Sequence, residues 1–192
     1  LYGELKAVRY PKIADMDGDE DMDIVVTAGD GAARAAFRED EIVWYENRGN
    51  TQFIEHRIDD LIAFPGDLEL GDLNGDEKID VVATSREDHQ LVWYTQVGLD
   101  WIKSIVDSTV LEPLGCAIAN LDGDDDLDLM VCSAMDSSVF WYENDGAGGF
   151  TKRMIDLDVK MPQDLMAVDM NGDGDSDIAL VAADSNNGIV RI

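Results

Sequence analysis

Asp15-Met16-Asp17-Gly18-Asp19-Glu20-Asp21-Met22-Asp23, followed by Ile24-Val25-Val26, is an acidic nine-residue loop running straight into an apolar strand. The chain repeats it three more times. Asp72-Leu73-Asn74-Gly75-Asp76-Glu77-Lys78-Ile79-Asp80 leads into Val81-Val82-Ala83. Asn120-Leu121-Asp122-Gly123-Asp124-Asp125-Asp126-Leu127-Asp128 leads into Leu129-Met130-Val131. Asp169-Met170-Asn171-Gly172-Asp173-Gly174-Asp175-Ser176-Asp177 leads into Ile178-Ala179-Leu180. Every copy has oxygen-bearing side chains at positions 1, 3, 5 and 9 and glycine at position 4.

Carboxylates and amides at alternate positions can curl round one hard cation and point inward together. Calcium takes about six to eight oxygens in a flexible arrangement, whereas magnesium demands a stricter octahedron and keeps more of its water. Glycine at position 4 supplies the backbone angle that a tight wrap needs. Position 7 (Asp21, Lys78, Asp126, Asp175) varies in charge, which suits a backbone carbonyl ligand there. Four bound calcium ions are therefore expected, one per loop. An EF-hand is excluded: its loop ends in a bidentate glutamate at position 12, where this chain has Val26, Ala83, Val131 and Leu180. A single Asp-Gly-Asp turn would be read as a solvated bend. Four matched copies, each crowding like charges, call for an ion instead.

The spacing of the loops decides the architecture. From Asp15 the steps to Asp72, Asn120 and Asp169 are 57, 48 and 49 residues. Each loop is followed by an apolar strand, and three of the four units then carry a polar turn and an aromatic strand: Ile42 to Asn47, Leu91 to Gln96, Val139 to Asn144. A glycine-containing turn and an amphipathic strand come next: Phe53 to Ile58, Trp101 to Val106, Phe150 to Ile155. A linker with a proline seven residues before the loop (Pro65, Pro113, Pro162) leads to the short strand that opens the next unit. Four short strands per unit of about 49 residues, with one motif per unit, predict an all-β fold of antiparallel propeller blades. The approximate repeats are 10–58, 67–106, 115–155 and 164–192, the last incomplete. A β-sandwich is the architectural alternative. The Trp-Tyr pair of each aromatic strand is expected in the blade core, with a sugar-stacking platform as the alternative.

The loops and the Trp-Tyr-Glu-Asn element resemble FG-GAP/VCBS-type β-propeller repeats, also seen in integrin α-subunit propellers and closest here to the bacterial VCBS type. The resemblance spans nearly the whole chain. It implies that each calcium loop joins the innermost strand of a blade to the second. It also implies that ligands approach the opposite face, built by the strand 2–3 turns and the inter-blade linkers. Ala83-Thr84-Ser85 and Cys132-Ser133-Ala134 depart from the integrin pattern, so integrin-type ligand binding is not carried over.

Net charge is −28, and four divalent ions would offset less than a third of it. The remainder argues against nucleic acid and anionic membranes as partners. No apolar run is long enough to span a bilayer. The chain starts at Leu1 and shows no signal peptide, as a processed or trimmed product would. Loops of this kind work where calcium is near millimolar, so the expected location is secreted or at the cell surface.

Candidate ligand contacts come from an anomaly in the first unit. Asp23 to Trp44 is 21 residues, against 13 from Asp80 to Trp93 and from Asp128 to Trp141. The extra length holds Arg34 and Arg38 in a chain with only 14 basic residues, and Arg86 and His89 lie in the equivalent turn of the second unit. The leading function is a non-catalytic recognition module for carbohydrate or protein. The alternatives are the scaffold of a polysaccharide-degrading, lyase-like enzyme, or a purely structural assembly module. Catalysis has little support: the two histidines, His56 and His89, lie in different units and no nucleophile motif is present. The outer strand expected before the first loop is missing and the last unit stops early, which points to a larger propeller or to closure by self-association. If Asn120 faces Asp128 across the third loop, Cys116 faces Cys132 and the pair could form a cross-strand disulfide.

Overall fold

The computed structural model describes residues 7–29, 40–98, 100–157, 159–183 and 189–191. Within them lie fifteen β-strands and no helix. They form four sheets whose strands pair antiparallel in sequence order. The first comprises β1 (Ala7–Ala14), β2 (Asp23–Gly29), β3 (Glu41–Asn47) and β4 (Phe53–Asp59). The second comprises β5 (Pro65–Gly71), β6 (Asp80–Ser85), β7 (Gln90–Val97) and β8 (Asp100–Asp107). The third comprises β9 (Pro113–Ala119), β10 (Asp128–Ser133), β11 (Ser138–Asn144) and β12 (Phe150–Leu157). The fourth has β13 (Pro162–Val168), β14 (Asp177–Ala182) and β15 (Ile189–Arg191). The expected all-β blades are present.

One expectation is corrected. The strand preceding each loop by 14 to 19 residues belongs to the blade before, not to the blade that the loop opens. Each hairpin pairs with its nearest neighbour in sequence, so β4 completes the first sheet and that sheet lacks no strand.

The blades face one another through three apolar clusters. Met16, Val25, Trp44 and Ile62 meet Leu68, Val81, Val92 and Tyr94 between the first and second sheets. Leu73, Val82 and Trp93 meet Leu129, Phe140 and Tyr142 between the second and third. Ala117, Met130 and Cys132 meet Leu165 and Leu180 between the third and fourth. The alternation of a strand explains this: Trp93 and Tyr94 point to opposite faces, and each face of a blade is buried against a different neighbour. Trp44, Trp93, Tyr94 and Tyr142 are buried, as expected for core, whereas Tyr45 and Trp141 are half-buried. First strands of adjacent blades also pack together, β5 on β9 and β9 on β13, which places them innermost.

Every first strand breaks register once, between Arg9 and Lys12, Pro65 and Leu68, Pro113 and Cys116, and Pro162 and Asp164. Such bulges bend a strand and raise its twist. The three linker prolines open β5, β9 and β13, and the residues before them (Phe64, Glu112, Met161) have φ of 50°, 51° and 49°.

The cysteines are not joined. Cys116 lies opposite Val131, and Cys132 lies opposite Val139. Asp128 pairs with Ala119 rather than Asn120, one residue off the expected register. A shift of one residue turns a side chain to the other face of the sheet. The two thiols therefore sit in different clusters, both buried and free.

Candidate metal centre

Each acidic loop joins the first strand of its blade to the second, and all four have the same internal wiring. The position-1 side chain accepts the position-4 glycine N–H: Asp15 from Gly18 at 2.8 Å, Asp72 from Gly75 at 2.8 Å, Asn120 from Gly123 at 2.7 Å, Asp169 from Gly172 at 2.6 Å. The position-5 side chain accepts the position-7 N–H: Asp19 from Asp21, Asp76 from Lys78, Asp124 from Asp126, Asp173 from Asp175. These contacts curl the backbone of each loop in the same way. In the first loop, carboxylate oxygens of Asp15, Asp17 and Asp19 lie within 4.8 Å of one another. That spacing, with hard anionic oxygens only, fits a calcium-sized cation. The other loops substitute an asparagine at position 1 or 3 (Asn74, Asn120, Asn171) and offer a neutral amide oxygen instead.

The position-9 aspartates have a second task. Asp23, Asp80 and Asp128 are completely buried. One oxygen of each accepts the position-2 N–H, from Met16 at 3.0 Å, Leu73 at 3.1 Å and Leu121 at 3.0 Å, and Asp177 does the same for Met170 at 2.9 Å. The other oxygen of Asp23 accepts the Asn47 N–H at 2.7 Å, and that of Asp128 the Asn144 N–H at 2.8 Å. The asparagine of the Trp-Tyr-Glu-Asn element thus clips the loop to the third strand. Its amide donates to the position-8 carbonyl, Asn47 to Met22 and Asn144 to Leu127. In the second blade Gln96 takes that place, and Asp80 Oδ1 is buried without a hydrogen-bond partner. Burial, relieved in part by the Leu73 N–H, pushes the Asp80 carboxyl up to about 6.

Charge crowding marks the first loop. Burial and the adjoining Glu46 carboxyl raise Asp17 above the usual carboxylate range. Glu46 itself is disfavoured by burial, but bonds from His56 and Asp17 hold it below that range. A divalent cation at Asp15, Asp17 and Asp19 would relieve such crowding.

Two features of the loops escape the motif of alternate oxygens. Position 6 (Glu20, Glu77, Asp125, Gly174) adopts φ between 65° and 95°, like the glycine at position 4, and only Gly174 advertises it. Position 2 is apolar in every copy: Met16 and Leu73 are buried plugs beneath their loops, and Leu121 packs against the third cluster. That pattern is visible in the sequence.

The other candidate contacts are scattered. Arg34 and Arg38 lie outside the described residues. Arg86 is on the opposite end of the second blade, 2.6 Å from Glu112 and stacked 4.9 Å over Phe64. His89 Nδ1 accepts the Glu112 N–H at 3.0 Å. Both tie the 2–3 turn to the next linker, and that contact is an interlock between blades.

The comparisons agree with this geometry. No curated protein matches the chain. The FG-GAP-like repeat model matches three times, over residues 15–83, 72–131 and 120–180, each match running from one acidic loop into the strand after the next. Taken together the matches run from the first loop to the last strand but one, and the chain belongs to the FG-GAP-like repeat family.

Proposed function

We propose that this chain is a calcium-stabilised recognition module that works outside the cell and binds a carbohydrate or a protein. The observation that carries it is the convergence of Asp15, Asp17 and Asp19 within 4.8 Å, in a wiring that recurs in all four loops. The remaining position-1, -3 and -5 oxygens of Asp72, Asn74, Asp76, Asn120, Asp122, Asp124, Asp169, Asn171 and Asp173 would hold the other ions. Bound calcium would cancel repulsion inside each loop and lock the first strand of each blade to the second. An ion held only by the folded state stabilises by about 2.7 kcal/mol at a hundredfold excess over its Kd. The test is a melting curve in calcium and in chelator. Chelation is expected to lower the Tm by several degrees and re-addition of calcium to restore it. An identical Tm in both would sink the calcium part of the proposal. Recognition itself is tested by screening the calcium-loaded chain against glycans and candidate proteins.

A further inference from the structure

The first inter-blade junction is open where the second is closed. Between the second and third blades, Phe150 stands edge-on to Trp93 at 5.7 Å. The turn from β11 to β12 lays Gly148 so near the same indole that a β-carbon there would lie 2.4 Å from the ring. The corresponding turn of the second blade is tighter, because β7 and β8 stay paired as far as Val97 and Asp100. The groove beside Trp44 therefore remains open, with a volume of about 510 Å³.

Its walls are built for a polar ring. Register places Trp101 where Phe150 stands in the next blade, opposite Gln96 as Phe150 is opposite Asn144, and Trp101 lines the groove half-buried. On the other side His56 stacks on Trp44 at 4.5 Å. Between them Glu46, 2% exposed, is held by Arg48 at 2.6 Å and His56 at 2.7 Å. Gln96 lines it from the second blade, and the rim carries Arg57, Lys78 and Glu77 together with Asp15 and Asp17 of the first acidic loop.

We propose that this groove binds a neutral pyranose residue of a glycan. An indole offers a flat apolar face for the C–H side of a sugar ring. Glu46, Arg48, His56 and Gln96 offer acceptors and donors in fixed positions to its hydroxyls. The volume falls in the range of about 300–1,000 Å³ that holds small ligands. Arg48 and His56 are paired with Glu46, Arg57 with Glu41 at 2.9 Å and Lys78 with Asp76 at 4.0 Å, while Asp15, Asp17 and Glu77 add negative charge to the walls, so the protein groups lining the groove do not favour a carboxylate. The inference rests on the recognition module proposed above. It puts the ligand on the face of the acidic loops, not on the opposite face that the resemblance implies.

The test uses the full, calcium-loaded chain on an array of neutral and uronate-bearing glycans, followed by calorimetry on the best neutral ligand. Gln96→Ala is expected to weaken binding at least tenfold with unchanged Tm; Arg48→Ala should weaken it as much and also lower the Tm, because buried Glu46 loses a partner. Trp101→Ala should abolish it and Trp101→Phe retain part of it; because Trp101 also packs on the core, the first two variants carry the decision. Neutral-glycan binding that survives both would place the sugar elsewhere. Capture of uronate glycans alone would overturn the neutral class. Either result leaves the recognition module standing. Binding of no glycan overturns the groove assignment, and the recognition module falls with it only if no protein ligand is found.

Discussion

Tyr94 Oη donates a 2.7 Å hydrogen bond to Asp59 Oδ2, across the boundary between the first and second blades. Lys103 adds a second bond to the same oxygen at 2.8 Å. One blade further on, Tyr142 and Lys152 hold Asp107 in the same way, each at 2.7 Å. The last residues of β4 and β8 are thus latched to the aromatic strand of the next blade. Removing one donor leaves the other, so Tyr94→Phe should cost about 1–2 kcal/mol. Asp59→Ala strands both a buried hydroxyl and a lysine and should cost about 2–4 kcal/mol. Urea midpoints measure both, and equal losses would contradict a shared acceptor.

The same latch predicts an acid limb. Burial pushes the Asp107 carboxyl up, but bonds from Lys152, Thr109 and Tyr142 outweigh it and bring it to about 2. A depressed carboxylate contributes stability that is fully present above its unfolded pKa of about 3.9 and is lost as pH falls towards the folded value. Stability should therefore drop between about pH 4 and pH 2. Asp107→Asn should be less stable at pH 7 and show a shallower fall over that window. A parallel fall in both proteins would remove Asp107 from the explanation.

Two glycines with positive φ should respond differently to alanine. Gly18 has φ of 80° and open space where a β-carbon would go, so only the backbone term applies, about 1–2 kcal/mol. Gly148 has φ of 83° and the Trp93 ring 2.4 Å from that position. Gly148→Ala should add an overpacking cost of about 1–3 kcal/mol. Thermal melts of the two variants compare them directly; a Gly18→Ala loss as large as that of Gly148→Ala would be the contrary result.

Asn144 serves two acidic loops. Its amide donates to Leu73 O at 2.8 Å in the loop of the second blade and to Leu127 O at 2.9 Å in its own. Asn144→Ala should cost about 2–3 kcal/mol, since a buried and a half-buried carbonyl lose their donor. It should also weaken calcium at both loops while sparing the first and fourth. If the four loops bind as proposed, titration with a luminescent lanthanide would show two of the four proposed sites shifted, and a uniform shift would argue against the clip.

The thiols give a further check. Burial pushes Cys116 well above its ordinary value and Cys132 up to about 12. Neither is a thiolate at neutral pH, and a thiol is a poor nucleophile. A thiol reagent at pH 8 should leave the native chain unmodified and label two cysteines after denaturation. Rapid native labelling, or a disulfide after mild oxidation, would show that the two strands slip in register.

The sequence by itself determined the repeat, the succession of short strands and the acidic loops, because these depend on local spacing. Oxygens at alternate positions, glycine at position 4 and two-residue alternation are all contained in stretches of about nine residues. Tertiary structure decided what depends on register and on neighbouring blades. A slip of one residue, invisible in spacing, put Cys116 and Cys132 on opposite faces. The outer strands β4, β8 and β12 proved to follow the loop of their own blade, not to precede it, since pairing follows the shortest chain path. Arg86, attractive as a scarce cation, and His89 in the same turn are engaged with Glu112 of the next linker. Asp23 and Asp128 at position 9 are clips to the third strand as well as candidate ligands, through a contact 16 residues away for Asp128 and 24 for Asp23. Such contacts leave no local trace, because only folding brings their partners within reach.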